Sequence, residues 1–342
     1  MFRRRQESPL LAPPEQTYPQ AACYFLFCAA HLDPGLKPFV IEGRRMALIA
    51  SKNWLPLLTP QILFSDRQGQ TNAFLETNPA LWIEPDGSAI VCVRLVNYRK
   101  FKDRSFKMGG ALSESKYHIF RGRMKDGMFE AQESSALEFV NALPLHPSCW
   151  TGYEDLRFLN SKQILCTAPQ LSPRGLPVIA LASLDGSTAT IQRVLPPSEQ
   201  EKNWMPFLPQ AGSRNFVLYS VSPLGLKQLE DGDVRILATA DPLRGYHGSS
   251  NGVSIVGQGF LFLIHKYAAR TEHAWLLFDP IGRRYGYSAP FVFLEHSYIE
   301  FTCSISLYED MIHVALGVND DKAYLCSVSV PDPLEFTWLP FS

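Results

Sequence analysis

The chain has 342 residues, with 32 Lys and Arg against 33 Asp and Glu, so its formal charge is −1. Apolar types make up 46%, aromatics 12% and charged types only 19%, with 26 Pro and 22 Gly. So little charge excludes an extended disordered chain or a coiled coil, and the balance of signs excludes a protein that wraps nucleic acid through bulk electrostatics.

The N-terminus, MFRRRQESPLLAPPEQ, carries three arginines and no apolar run of the kind a signal peptide needs. Residues 1–20 read as a polar, proline-rich tail. Ala21–Ala30 is apolar but too short to span a bilayer, and reads as a buried strand or short helix. No stretch reaches the roughly 20 apolar residues of a membrane helix. The expectation is a cytoplasmic protein with no integral membrane segment. Cysteines at 23, 28, 92, 149, 166, 303 and 326 are odd in number and lack CxxC or Cys/His ligand spacing. That predicts reduced thiols, with neither a disulfide framework nor a structural zinc site. Residues 21–70 form an N-terminal extension, either a strand added to the sheets that follow or a separate cap.

Residues 71–342 are dominated by short β-type runs punctuated by turn residues. One frame recurs: a polar entry, a small apolar strand, a Gly/Asp/Asn turn, then a stronger apolar strand. Its instances are NPALWIEPDGSAIVCVRLVNYR from Asn78, YEDLRFLNSKQILCTAPQ from Tyr153, KNWMPFLPQAGSRNFVLYSVSP from Lys202, SSNGVSIVGQGFLFLIHKY from Ser249 and IEFTCSISLYEDMIHVALGVND from Ile299. Strand pairs around PDG, NSK, AGSRN, GQG and YED read as hairpins. Successive starts are roughly 75, 49, 47 and 50 residues apart, and a period near 50 built from about four strands is the pattern of propeller blades. Five units predict an all-β, five-bladed β-propeller with a short N-terminal extension; a β-sandwich with accidental spacing is the alternative. In a propeller the entry loops gather at one end of the axis, so polar residues far apart in sequence would meet.

The entries carry Asn78; Glu154, Asp155 and Arg157; Lys202 and Asn203; Arg244 and His247; and Glu300 with Asp320, while His265 ends the strong strand of the fourth unit. Ionisable groups beside apolar strands are costly unless paired or in a wet pocket, so their recurrence at one phase favours a shared polar pocket. The set resembles glycoside hydrolase family 130, the five-bladed propellers that phosphorolyse or hydrolyse β-mannosides, and the related β-1,2-mannosyltransferases. GYEDLRF (Gly152–Phe158) is similar to the family's Glu-Asp-Pro-Arg motif, and EKNWMPF (Glu201–Phe207) to its Lys-Asn/Asp strand entry. FLFLIHKY (Phe260–Tyr267) resembles its apolar strand ending in Tyr-His, ALGVNDDKAYL (Ala315–Leu325) its Tyr-Gly-Ala-Ala-Asp segment, and NPA (Asn78–Ala80) its first-blade entry. Leu156 stands where the motif has proline, Lys266 follows His265, and RGYHGSS (Arg244–Ser250) matches loosely.

The resemblance implies an inverting reaction in which an acid protonates the leaving oxygen while phosphate or water attacks the opposite ring face. Asp155 would be that acid, its proton affinity raised by burial and by the adjacent Glu154; the plainer reading is an Asp that pairs with Arg157 to brace a turn. Asn78, Arg99, Glu154 and Asp320 would contact the sugar, although Asp320 can equally order the GVND turn. Arg157, Lys202, Arg244, His247 and His265 would hold phosphate, with the two histidines alternatively structural. Trp204 reads as core more readily than as a sugar platform. Asn97–Lys107 reads as an insertion of the first blade lying over the pocket. No GxGxxG, P-loop, HExxH or Asp-rich calcium loop occurs. No metal or cofactor is expected, and phosphate or a sugar nucleotide would be a co-substrate with an oligosaccharide or sugar phosphate. The leading reading is a phosphorylase or glycosyltransferase acting on β-mannoside-type linkages; the other is a catalytically silent propeller that binds glycan or protein.

Overall fold

The computed structural model describes residues 39–41, 44–49, 53–66, 68–103, 105–109, 113–146, 150–195, 202–208, 215–230, 232–239 and 242–342. The readings of residues 1–20 as a tail and of Ala21–Ala30 as a strand or helix lie outside these residues, as do Cys23, Cys28 and Cys149.

The described chain is all-β with a propeller arrangement. The first sheet is built from Leu75–Ile83, Ser88–Val96, Ser113–Lys125 and Met128–Ala136, paired antiparallel in that order. Glu154–Asn160, Gln163–Thr167, Ile179–Asp185 and Thr188–Val194 form the second, with Glu138–Val140 added parallel at its edge. Met205–Phe207, Phe216–Val221, Leu224–Gln228 and Val234–Ala238 form the third. The last meander is Glu300–Tyr308, Met311–Val318 and Lys322–Ser329. Its outer position is taken by Asn53–Pro56, paired from Asn53↔Ser327 to Pro56↔Tyr324, so the extension closes this sheet with an N-terminal strand.

Five equal blades are not what forms. Four sheets have blade form, with four or five strands each, whereas the unit beginning at Ser249 belongs to a nine-stranded sheet. Its centre is Gly259–Tyr267 paired with Thr271–Asp279, and Phe39–Ile41, Arg44–Leu48 and Thr337–Pro340 join it from distant parts of the chain. A sequence period cannot show strands recruited from outside the repeat.

The first strands of successive sheets face one another. Leu75–Ile83 contacts both Glu154–Asn160 and Glu300–Tyr308, and Glu154–Asn160 contacts Met205–Phe207. Because each sheet packs on two neighbours, its inner strands are buried on both faces and read as continuous apolar runs such as SAIVCVRLV and GFLFLIHKY. The core lies in the seams between sheets: Tyr117 and Ile119 meet Leu156 and Phe158, Phe207 meets Phe260 and Phe262, and Leu81 and Val91 meet Ala315 and Leu325. Tight turns punctuate it: Asp126–Gly127 and Glu309–Asp310 are at positive φ as type I′ two-residue hairpin turns require, and Asn319 and Asp320 are at positive φ in the three-residue loop between Val318 and Lys322. The hairpins around PDG, NSK, GQG and YED form, and the strands flanking AGSRN pair, although most of that loop lies outside the described residues. Cys92, Cys166 and Cys303 are buried free thiols, and Cys326 is buried as well. Among the described residues no helix is long and apolar enough to cross a membrane.

Leu57 and Leu58 test where the extension joins the core. Leu57 is 4% exposed in the seam between the last and first sheets, while Leu58 is 74% exposed. Leu57→Ala is expected to cost about 2–5 kcal/mol in urea denaturation, and Leu58→Ala to stay within about 0.5 kcal/mol of wild type. Equal losses would show that the extension is not packed this way.

Candidate active site

Two backbone irregularities build the site. Asn78, at φ 39°, and Asp155, at φ 50°, lie inside the first strands of the first and second sheets rather than in turns. Both coincide with register shifts, between Thr77 and Ala80 in one strand and between Glu154 and Arg157 in the other. A bulge re-aims the side chain at that point, and a non-glycine residue held in the left-handed region costs of order 1–3 kcal/mol. The two side chains meet: Asn78 Nδ2 donates to Asp155 Oδ1 at 2.8 Å. Gly317 makes room for this, since a Cβ there would come within 2.8 Å of Asn78 Oδ1 and closer still to its backbone nitrogen. Asn203, at the entry of the third sheet, is also at positive φ, 61°.

The centre of charge is a residue the motifs did not single out. Arg94, only 3% exposed, donates Nη2 to Glu154 Oε1 at 2.9 Å and Nη1 to Asp155 Oδ1 at 3.3 Å, with Nε on Ser115 Oγ at 3.0 Å. The bulge brings the adjacent carboxylates Glu154 and Asp155 to one guanidinium, although neighbours on a regular strand point to opposite faces. A lone arginine inside the run AIVCVRLV was the available signal, because a charge in a doubly buried strand requires a partner. Lys202 reaches Glu154 Oε2 at 3.5 Å from a 40% exposed position on the rim. Arg157 is buried and held by main chain: Nε donates to Ser249 O at 2.6 Å and Nη1 to Asp155 O at 3.1 Å, with Nη2 3.4 Å from Asn203 Oδ1. It therefore braces the backbone of Asp155 rather than pairing with its carboxylate, and lies 5.8 Å from the centre of the Phe301 ring.

The proton affinity of Asp155 runs opposite to the sequence expectation. Burial pushes its carboxyl up, but Arg94, then Arg157 and Lys202, and the Asn78 hydrogen bond outweigh burial and hold it below the ordinary carboxylate range. Asp320 goes the other way. Burial dominates and raises it, against the opposing pull of Lys100, Arg94 and the Thr77 hydrogen bond. Asp320 does occupy the Asn319–Asp320 turn, and it also reaches the site: the Thr77 hydroxyl lies 3.1 Å from its Oδ1 and 2.8 Å from Asn78 Oδ1. The insertion arrives at the same turn, with Lys100 Nζ 3.9 Å from Asp320 Oδ2 and Arg99 Nη2 3.5 Å from Asp321 Oδ2.

The histidines sit to one side. His247, His265 and His273 are cross-strand neighbours in the nine-stranded sheet, His247 exposed and the other two fully buried. Neither ring nitrogen of His265 has a hydrogen-bond partner among the described residues. Burial, with help from His273, His247 and Arg157, holds its pKa well below the ordinary value, so the ring is neutral. Its edge-to-face contact with Phe301, at 5.0 Å, places it next to Arg157. Arg244 lies exposed in the turn before Tyr246. Glu300 is a structural brace, accepting from Arg270 at 3.2 Å, from Ser297 and from the backbone of Phe293 and Leu294. Trp204 is core, packed against Tyr219 under Lys227.

Arg94→Met is expected to cost about 3–5 kcal/mol at pH 7, because it strands two buried carboxylates. The pH dependence carries the sign. In the wild type the depressed Asp155 contributes stability above its unfolded pKa of about 3.9, lost as pH falls through the folded value. Without Arg94 burial faces less opposition, and protonation relieves the stranded carboxylates. The stability gap between variant and wild type should therefore narrow from pH 7 to pH 4 in urea titrations; a gap independent of pH would refute the assignment.

No protein-family model matches the sequence, and no curated protein matches it. Solved structures match by fold. β-1,2-Mannobiose phosphorylase from Listeria innocua, in complex with β-1,2-mannobiose, aligns with a TM-score of 0.51 at 14% identity, covering 75% of this chain and 90% of its own. A glycosyl hydrolase from Bacteroides ovatus gives 0.55 at 11% identity, over 89% and 99% of the two chains. A third match belongs to work on glycoside hydrolase family 130, mannoside phosphorylases among which are hydrolases that target β-1,2 mannosidic linkages in Candida mannan; it gives 0.54 at 13% identity, over 87% and 99%. The fold of this chain is similar to the propeller of glycoside hydrolase family 130.

Proposed function

We propose that the chain is a carbohydrate-active enzyme that transfers a mannosyl-type unit, with inversion, between an anionic carrier and an acceptor hydroxyl. The carrier is phosphate or a sugar nucleotide, so the enzyme is a phosphorylase or a glycosyltransferase acting on β-mannoside-type linkages. One observation carries this reading. Two side chains from adjacent sheets, Asn78 and Asp155, each on backbone at positive φ, meet at 2.8 Å beside the buried cation Arg94. Backbone strain of this kind, together with a carboxylate and several cations, supports a reaction centre better than a packing device.

Asp155 is the catalytic carboxylate. Held ionised by Arg94, Arg157 and Lys202, it accepts the acceptor's hydroxyl proton as the acceptor oxygen bonds to the anomeric carbon. The bond to the phosphate oxygen breaks with its electron pair leaving on phosphate. In the reverse direction the same carboxyl returns that proton to the sugar oxygen. A phosphate near Arg157 and Lys202 offsets their charge and so favours the protonated form the reverse step needs. Asn78, Arg99, Glu154 and Asp320 face the sugar; Arg157, Lys202, Arg244, His247 and His265 serve the anion, with His265 donating from a neutral ring.

Incubation with mannose 1-phosphate or GDP-mannose plus mannose or mannobiose should yield disaccharide or longer product, and the reverse reaction should consume inorganic phosphate. Asp155→Asn should lower the rate by a factor of at least about 100, the scale of a lost acid/base group. Saturable glycan binding with no turnover in either protein would favour the silent binding propeller. Free sugar release without phosphate dependence would assign hydrolysis.

A further inference from the structure

Asp155, Asn78, Thr77 and Asp320 form a continuous line of polar contacts from the second sheet, through the first, to a turn of the last. Hydrogen-bond valence fixes the direction of that line. Asp155 Oδ1 also receives Arg94 Nη1, and an ionised carboxylate only accepts, so Asn78 must present its NH2 group to it. Asn78 Oδ1 then faces Thr77, 2.8 Å away, and can only accept. A threonine hydroxyl has a single proton, which can serve Asn78 Oδ1 at 2.8 Å or Asp320 Oδ1 at 3.1 Å but not both fully, and the shorter contact is to Asn78. The remaining contact, 3.1 Å between Thr77 Oγ and Asp320 Oδ1, joins two oxygens and needs a proton of its own.

We propose that Asp320 carries that proton, as a neutral carboxylic acid donating to Thr77, and that it is a positioning residue which fixes Asn78 and, through it, Asp155. Every donor in the chain then points the same way, from Asp320 to Thr77, from Thr77 to Asn78 and from Asn78 to Asp155. Ionisation of Asp320 reverses its end: the carboxylate draws the Thr77 proton to itself, Asn78 loses its donor, and the amide is free to turn away from Asp155.

The surroundings of Asp320 agree. Burial raises its proton affinity, and the nearby negative charge of Asp155 adds to that; Lys100 and Arg94 oppose it, but Lys100 stands off at 3.9 Å. Tyr98 and Tyr298, which also feel Asp320, are themselves pushed up and stay neutral at ordinary pH. Arg99 is paired with the neighbouring Asp321. As a neutral acid Asp320 keeps Oδ2 as an acceptor for a sugar hydroxyl, the arrangement an asparagine would reproduce.

The proposal rests on Asp155 as the working group only for its catalytic consequence, so its test needs no turnover. The full chain, labelled with 13C aspartate, is titrated by carboxyl NMR, with Asp320→Asn and Asp155→Asn assigning the two signals. The Asp320 signal should be that of the protonated acid at pH 6, titrating well above the usual value of about 3.9, while Asp155 is ionised there. Asp320→Asn should leave the Asp155 titration in place, whereas Asp320→Ala and Thr77→Val should both move it upward. An ionised Asp320 at pH 6 overturns the proposal from the wild type alone. So does an Asp320→Asn variant that shifts Asp155 as far as Asp320→Ala does. A wild type with no activity on any mannosyl donor would sink the enzymatic reading and still leave this titration decisive.

Discussion

A guanidinium removed from water governs the centre of this molecule. Arg94 stands in the second strand of the first sheet, where both faces are covered and the neighbouring side chains are Val93 and Leu95. Desolvating an arginine costs several kcal/mol unless carboxylates approach with good geometry, and Glu154 and Asp155 supply two from the adjacent sheet. The pair cannot be taken apart one residue at a time, because each partner left alone is a buried charge. The approach of the first and second sheets is thus tied to the charge state of the site, and the apolar seam of Tyr117, Ile119, Leu156 and Phe158 holds the geometry that makes the pairing possible.

The same region departs from regular β-structure, and the two departures are connected. A straight strand would send Glu154 and Asp155 to opposite faces, leaving one of them buried among apolar side chains. The register break at Asp155 brings both to Arg94. The equivalent break at Asn78 turns its amide toward Asp155 and its carbonyl toward Thr77, and Gly317 in the last sheet keeps the space it occupies. Local strain of order 1–3 kcal/mol per residue is offset by charge-assisted hydrogen bonds that regular backbone could not form. The site is therefore a property of three sheets at once.

Much of the fold could be read from the sequence because doubly buried strands leave a plain trace. The runs around Ala89–Val96 and Phe260–Ile264 are nearly unbroken apolar stretches, and the turns between strands carry Gly, Asn and Asp. Of the polar residues that the repeat units offered, Asn78, Asp155 and Asp320 share one network, with Arg157 against the backbone of Asp155. Two things were not legible. The unit at Ser249 gave no hint that strands from both ends of the chain join its sheet, since pairing between distant segments has no local signature. The sign of the Asp155 shift was missed because Glu154 is adjacent in sequence whereas Arg94 is adjacent only in space. A carboxylate beside it argues for a raised proton affinity; a guanidinium at 3.3 Å reverses the conclusion.

That reversal bears on the chemistry such a site suits. A carboxyl meant to act as an acid in the free protein is usually desolvated without cations, whereas Asp155 is surrounded by them. Its resting state is a base, and Asp320, raised by burial, is the neighbour inclined to keep a proton. With Arg157 and Lys202 beside it, the centre is short of negative charge until an anion arrives. In the proposed reaction a phosphorylated sugar donor would supply an anion to the cations, and the ionised carboxylate would take the proton of the incoming hydroxyl. By microscopic reversibility, phosphorolysis in that proposal would use the same groups in the opposite order. Asp155 held ionised among cations, beside an Asp320 raised by burial, is thus the electrostatic feature on which either direction of the proposed reaction would turn.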